Sequence, residues 1–169
     1  DPDLYLNENI VKASSIKIQN ARFTAFKDKQ IPFNPGLVKP MPVDLLKKIP
    51  FHVLIENTEI ENGNAEYTET SAETEAVGII PVTRLKILLK NIKNYNFLPT
   101  DTLHIDATGF LLDTAWAHLN IRESYNDVNG GFLLRFQIRP TDLKIINSVL
   151  TPLASVRIQS GMLDTLSVL

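Results

Sequence analysis

The side chains of this sequence best suited to metal or acid–base chemistry are three histidines, His52, His104 and His118. Imidazole binds transition metals and titrates near neutral pH. Each histidine, however, stands alone among apolar or β-branched neighbours in a predicted strand. A metal site would have to bring His104 and His118 together with Asp106 or Asp113, and 14 residues of straight strand hold those two histidines more than about 40 Å apart. We therefore predict no metal site.

Carboxylates are the second candidate, because a pair of them can act as general acid and base. The acidic side chains cluster at Glu66, Glu69, Glu73 and Glu75, and Asp101 precedes Asp106. Nothing else in the sequence marks a cleft around them, so solvated strand faces and turns are the favoured interpretation. There is also no glycine-rich phosphate loop, serine elbow or zinc helix. The segment Asn129–Gly131 is too short to bind phosphate and fits a turn. We predict that the chain is not an enzyme and uses no cofactor.

Composition fits one globular domain over residues 1–169, with 44% hydrophobic and 21% charged residues. A net charge of −2 argues against a nucleic-acid partner, and the absence of cysteine excludes disulfides and thiolate metal sites. No apolar run is long enough to span a bilayer. The chain starts without Met and stops inside an apolar run, so we expect a fragment of a longer protein, whose other part could contain a membrane anchor or a targeting segment.

A strand-like motif occurs three times, at Ile16–Ala25, Thr58–Tyr67 and Val156–Thr165. In each copy the apolar residues move from even to odd positions across a small pair such as Asn-Gly or Ser-Gly. Side chains alternate faces along a strand, so this change of phase requires one extra residue. We expect a β-bulge in each copy, which bends the sheet and contains no catalytic group.

Hydrophobic alternation predicts strands over 14–27, 51–70, 77–92, 103–124 and 132–138, with an interruption at Pro81 and a hairpin turn at Asp127–Gly131. A proline-rich connection contains Pro32, Pro35, Pro40, Pro42 and Pro50, and within it Val43–Ile49 fits either a turn or two of helix or a covering loop. A helix is predicted over 142–150, capped by Thr141 or Asp142 and stopped by Pro152. The predicted fold is mainly β: a long, twisted antiparallel sheet with bulges and one or two short helices, forming an open groove or half-barrel.

The last thirty residues carry a compound pattern, made of Asp142-Leu143, Ile146-Asn147, Leu150, Pro152–Ala154, Val156, Ile158 and Ser160-Gly161. This pattern resembles the C-terminal region of AsmA-like proteins. Two upstream pieces fit in the same order, namely Ile60–Gly63 with Tyr67–Glu69, and Leu103–Ala107. The resemblance covers about residues 50–169 and is most specific at its end.

The resemblance implies an envelope protein of Gram-negative bacteria, anchored in the inner membrane and extending through the periplasm. Its relatives are the repeating β-groove proteins, whose bent sheets expose an apolar trough for phospholipid acyl chains. Branched and small apolar side chains would line that trough here: Leu85, Ile87, Leu89, Ile105, Ala107, Leu111, Phe132, Leu134, Phe136 and Ile138. The same residues would equally form an ordinary core under the helix or the proline-rich connection.

The leading functional prediction is a non-enzymatic module for lipid transport or envelope maintenance. The alternative is a structural or adhesive β-sandwich at the cell surface that binds protein or glycan. These two functions require different architectures. A closed, fully packed double layer favours adhesion, and an open sheet with an apolar face favours lipid handling.

Overall fold

The computed structural model describes residues 5–7, 9–32, 34, 36, 39–73, 75–127 and 129–168. Its elements in chain order are β1 (Tyr5–Asn7), β2 (Ile10–Gln19), β3 (Arg22–Asp28), α1 (Pro42–Lys47), β4 (His52–Thr70), β5 (Val77–Lys93), β6 (Thr102–Leu111), β7 (Ala115–Ser124), β8 (Phe132–Ile138), β9 (Thr141–Asp142), α2 (Asn147–Ala154), β10 (Met162–Leu163) and β11 (Leu166–Val168). A 3-10 turn at Leu143–Ile146 leads into α2. The prediction of a mainly β fold with short helices is confirmed.

One sheet dominates the fold, with the order β1-β2-β4-β5-β6-β7-β8-β11 and with β3 beside the second half of β4. The predicted antiparallel pairing holds from β4 to β11. It is wrong for β2 and β3, which both run parallel to β4. The reason is that the chain passes from β3 to β4 through a crossover that includes α1, instead of through a hairpin. Within the described residues the sheet is open, with β1 and β11 at the two ends of its order.

The predicted single strand over 103–124 is in fact a hairpin of β6 and β7. Leu112 and Asp113 form its turn, with φ angles of 50° and 63° in the left-handed region. The sequence did not predict a turn here because Leu112 is an unusual residue at positive φ, although Asp113 is a common one. The hairpin explains the apolar residues on the second face, since Phe110 lies opposite Trp116 and arginine guanidinium groups cover both rings.

The first two copies of the repeated motif lie side by side in parallel register, with Ile18 opposite Ile60 and Phe23 opposite Ala65. Asn20 and Asn62 both adopt left-handed conformations, with φ angles of 58° and 51°. The Asn62 Nδ2 donates to Asn20 Oδ1 over 2.6 Å, which ties the two phase changes together.

The predicted bulge is confirmed in β4, where the register against β5 shifts on both sides of Gly63. In the first copy the change of phase separates β2 from β3, so the strand predicted over 14–27 is two strands. The third copy does not form a bulged strand, because residues 156–161 lie outside the strands. The Asn147 side chain bonds both the N–H and the C=O of Ile158 over 2.8 Å, in place of a neighbouring strand.

Three proline predictions have mixed outcomes. Pro81 does not interrupt β5, which continues through it from Val77 to Lys93. Proline lacks a backbone N–H, but the Pro81 carbonyl oxygen still accepts a hydrogen bond from the Leu112 N–H. Pro152 lies inside α2, which ends at Ser155 in a left-handed conformation. Pro42 begins α1, so of the two readings of residues 43–49 the helix is correct. Pro35 and Val128, in the predicted connection and hairpin turn, lie outside the described residues.

The most deeply buried cluster lies under α1 at one end of the sheet. Val43, Leu103 and Tyr125 are each only 2% exposed. Leu46 and Ile92 pack around them. This cluster fixes α1 on the sheet. At the other end α2 packs on β5, with Leu153 against Gly78 near the start of the strand.

Candidate functional site

The ladder registers place the predicted groove residues on one face of the sheet. Residues directly opposite each other in neighbouring strands share a face. One such row runs across four strands from Ile87 through Ala107 and Leu119 to Phe136. The next row runs from Leu89 through Ile105 and Ile121 to Leu134. The same registers add the remaining four predicted residues to this face: Leu85, Leu111, Phe132 and Ile138.

We call this surface the apolar face. It extends beyond the predicted residues onto the outer strands, where Ile18, Ile60 and Phe23 lie in register with it. At the other edge Leu166 and Val168 of β11 continue it beside β8. The sequence prediction therefore found the centre of the face and missed its two margins.

Within the described part of the chain, the apolar face is covered only at its two ends. The α1 helix lies over Leu89 and Leu103 at one end, and Leu153 of α2 lies over Gly78 at the other. Between them Leu85 is the one predicted groove residue that is buried, and the eight residues of the two central rows are all half-buried. Phe132, on the outer strand β8 beside the α1 end, is 47% exposed. The accessible surface of the whole chain is 11454 Å². A compact protein of this mass exposes about 8,400 Å². A sheet that lacks a second layer over most of its faces exposes more surface than a compact layered fold.

The uncovered part of the apolar face is long. From Gly78 to Leu89 the strand β5 extends at most about 36 Å, at about 3.3 Å per residue. Subtracting about 5 Å of helix radius at each end leaves at most about 25 Å between α1 and α2. Across the sheet, β5 to β8 add about 14 Å at the usual spacing between strands. These dimensions describe an elongated apolar floor with a helix at each end.

At the α1 end the floor leads into an apolar recess of 420 Å³. One wall comes from the helix and the residues after it, and the other from the sheet. The lining residues are Pro42, Leu45, Leu46, Ile49, Leu89, Ile92, Leu103 and Ile105. Leu45 is 53% exposed, so the recess opens to solvent along the helix.

A small polar network holds α1 in place beside this recess. The Glu123 carboxylate, 2% exposed, accepts from the Val43 N–H over 3.1 Å at the helix N-terminus. Burial raises the pKa of Glu123, and the nearby Asp44 charge adds to the effect. Lys47 donates from Nζ to the Tyr125 carbonyl oxygen over 3.0 Å. The alternation Leu119, Ile121, Glu123 was a signal in the sequence that Glu123 lies on an apolar face.

Tyr125 anchors the strand β5 to this network. Its hydroxyl donates to the Asn91 carbonyl oxygen and accepts from the Lys93 N–H over 3.2 Å. Asn91 has a φ of 61°, so the tyrosine stabilises a left-handed residue inside the strand. Burial raises the pKa of Tyr125 to about 12. Lys93, which is 7% exposed, forms an ion pair with Asp101. The Asp101 carboxylate is therefore engaged by a lysine and does not act with Asp106 as an acid–base pair.

The opposite face of the sheet carries the histidines and most charges. His118 Nε2 lies 3.0 Å from Asp106 Oδ2, and Asn120 Nδ2 donates to the same oxygen over 2.9 Å. These hydrogen bonds lower the pKa of Asp106, although burial opposes them. The argument that a straight strand holds His104 and His118 more than about 40 Å apart was therefore wrong, because the β6–β7 hairpin folds back between them. His104 bonds Thr102 Oγ1 instead, and His52 packs against the Tyr95 ring.

The acidic cluster is divided among separate partners. Glu69 forms an ion pair with Lys29 and accepts from the Tyr67 hydroxyl, and these contacts lower its pKa. Among the described residues, no group of three or more His, Cys, Asp or Glu side chains is arranged to hold a metal ion. The helices in that same part of the chain include none that is long and apolar enough to cross a bilayer.

Comparison with protein-family models, curated proteins and solved structures found no match to this chain. The resemblance to AsmA-like proteins thus stays a prediction that rests on the residues quoted for it.

Proposed function

We propose that this chain is a non-enzymatic lipid-handling module of the bacterial cell envelope, in which phospholipid acyl chains lie on the apolar face. The observation that carries the proposal is the middle of that face, where two rows of half-buried apolar residues cross four strands between α1 and α2. A contiguous apolar surface that remains accessible to solvent marks an interaction site.

The dimensions of the face support an acyl chain as the ligand. One leaflet of a bilayer contributes about 15 Å of hydrocarbon, half of the usual 30 Å core. The floor of about 25 Å between the helices is long enough to hold a chain of that length in full. The apolar recess under α1 offers a terminus for it. We place the polar headgroup at the solvent-exposed margin of the floor, since the floor itself contains no charged side chain in its two central rows.

The periplasmic location and the inner-membrane anchor of the parent protein belong to this proposal, and both rest on the resemblance to AsmA-like proteins. The adhesive alternative is less well supported. A β-sandwich needs a second sheet over the apolar face, whereas the second sheet among the described residues consists of β9 and β10, with two residues each.

The proposal is tested by native mass spectrometry of the purified chain, with extraction and identification of any bound lipid. We compare Ala107→Phe, which places a bulky ring in the middle of the apolar face, with Thr108→Phe, which places the same ring on the opposite face. The expected result is phospholipid bound to the wild type and to Thr108→Phe, with at least tenfold less on Ala107→Phe. Equal lipid occupancy in the two variants, or a wild type that binds no phospholipid after incubation with vesicles, would contradict the proposal.

A further inference from the structure

The strand β3 leaves one of its edges unpaired. It pairs with β4 along one side, and among the described residues no strand pairs with its other side. Residues 22–27 are all exposed. The strand contains no proline or glycine, the residues that commonly interrupt such an edge. A row of unpaired backbone donors and acceptors therefore faces solvent.

The backbone alternation shows which residues face outward. The Ala21 carbonyl oxygen accepts from the Asn64 N–H of β4 over 2.9 Å. Alternate residues along a strand point their N–H and C=O groups to opposite sides. The backbone groups of Arg22, Thr24 and Phe26 are therefore directed away from β4, toward the free edge.

The sequence of this edge is complementary to itself when it is read in the opposite direction. In an antiparallel pair of two β3 strands centred on Ala25, Arg22 of one copy lies opposite Asp28 of the other, at both ends of the pair. Thr24 then lies opposite Phe26, and these two residues are among those with outward backbone groups. Opposite charges directly across an antiparallel pair stabilise it.

Phe26 gives a second, independent reason. It lies on the polar face of the sheet, since Phe23 and Ala25 share the apolar one, and it is 67% exposed. In the antiparallel pair the two Phe26 rings become diagonal neighbours on the same face, at about 7–8 Å between residues, within reach of aromatic side chains. The pairing thus covers an aromatic ring that is mostly exposed in the single chain.

We propose that two copies of this chain associate through β3, in an antiparallel pair with its two-fold axis at Ala25. A two-fold axis perpendicular to the sheet leaves both apolar faces on the same side. The two sheets then join into one, with Ala25 of both copies at the centre of the joined floor. The dimer itself does not depend on lipid, whereas the use of the joined floor for acyl chains rests on the proposed function.

The test is sedimentation equilibrium or light scattering on the full chain, with reversed charges. In a dimer of the Arg22→Asp variant the new carboxylate lies opposite Asp28, and in a dimer of the Asp28→Arg variant the new guanidinium lies opposite Arg22. Each variant should weaken dimerisation at least about tenfold, because both symmetric pairs change to like charges. The double variant, and an equal mixture of the two single variants, should restore the dimer, because each recreates opposite charges at both ends.

Asp28 also accepts from the Gln30 N–H and the Thr70 hydroxyl, so its replacement perturbs the local turn. Phe26→Ser provides a variant free of that effect, and it should also weaken the dimer without changing the circular dichroism spectrum. The proposal is overturned if the wild type is a monomer at about 100 μM, a concentration at which mass action favours even a weak dimer. It is also overturned if the dimer persists unchanged in Arg22→Asp and Phe26→Ser, or if the mixture fails to associate while both single variants are folded.

Discussion

Removing the Tyr125 hydroxyl tests the network that fixes α1 and β5 at the end of the apolar face. Tyr125→Phe keeps the ring, which stacks on Phe97 with centroids 5.0 Å apart. It leaves the Lys93 N–H and the Asn91 carbonyl group without their hydroxyl partner in a site where Tyr125 is 2% exposed. Leaving buried backbone groups unsatisfied costs about 1–3 kcal/mol. For a chain of this length, about 2 kcal/mol corresponds to a fall of about 4–8 °C in Tm.

The same variant has a distinct signature at alkaline pH. Because folding raises the pKa of Tyr125 from 10.0 to about 12, the protonated hydroxyl contributes stability that is present below pH 10 and lost between pH 10 and 12. Two pKa units correspond to about 3 kcal/mol. Tyr125→Phe lacks this ionisation, so its free energy of unfolding should fall less than that of the wild type across this range.

Urea denaturation at pH 7, 10 and 12 measures both effects. The matched control is Tyr95→Phe, because the Tyr95 hydroxyl makes no hydrogen bond to the described residues, and its ring contact with His52 is kept. The control should stay within about 0.5 kcal/mol of the wild type. If Tyr125→Phe is as stable as Tyr95→Phe at pH 7, the hydroxyl does not hold the strand and the reasoning about this network is wrong.

Three further substitutions probe the apolar face and its two covered ends. Thr58→Val should raise the free energy of unfolding by about 1 kcal/mol in urea denaturation, because the buried Thr58 hydroxyl has no partner among the described residues; a loss of stability would show a missed hydrogen bond. Glu123→Gln should raise Tm at pH 7 and change it less at pH 4, because burial raises the carboxyl pKa and the ionised form loses stability as pH rises above 4.5; a pH-independent difference would refute this. Gly78→Ala should cost about 1–3 kcal/mol, since its Cβ would lie 2.6 Å from Leu153 of α2, and adding Leu153→Ala should remove that clash.

The sequence predicts the central sheet well because a half-buried strand alternates wherever its register is continuous, as β5 does from Leu85 to Leu89. Leu85, Ile87 and Leu89 alternate with polar or outward residues, and all three lie on the apolar face of β5 in the structure. The same reasoning placed ten groove residues on one face, because parity and register together determine the face. Its failures come from interactions that alternation does not encode.

The turn at Leu112 and Asp113 lacked glycine or asparagine, so parity continued through it unbroken and concealed a hairpin. The parallel pairing of β2 with β4 depends on where the crossover containing α1 lies, and no local pattern records that position. The third motif copy does not form a strand because the Asn147 side-chain amide donates to the Ile158 carbonyl oxygen and accepts from the Ile158 N–H. The third copy shares the sequence pattern of the two copies that form strands, so the pattern could not distinguish it from them.

The central claim is that the apolar face binds acyl chains, and photo-crosslinking from adjacent positions of β5 tests it most directly. A photoreactive residue at Ile87 lies on the apolar face, opposite Ala107, whereas one at Leu88 lies on the other face, opposite Asp106. The two positions share the same strand and differ in side-chain direction alone. We predict that phospholipid crosslinks to position 87, and also to Leu85 and Leu89, but not to position 88. Equal crosslinking at 87 and 88, or no lipid adduct at any of the three apolar positions, would contradict the account.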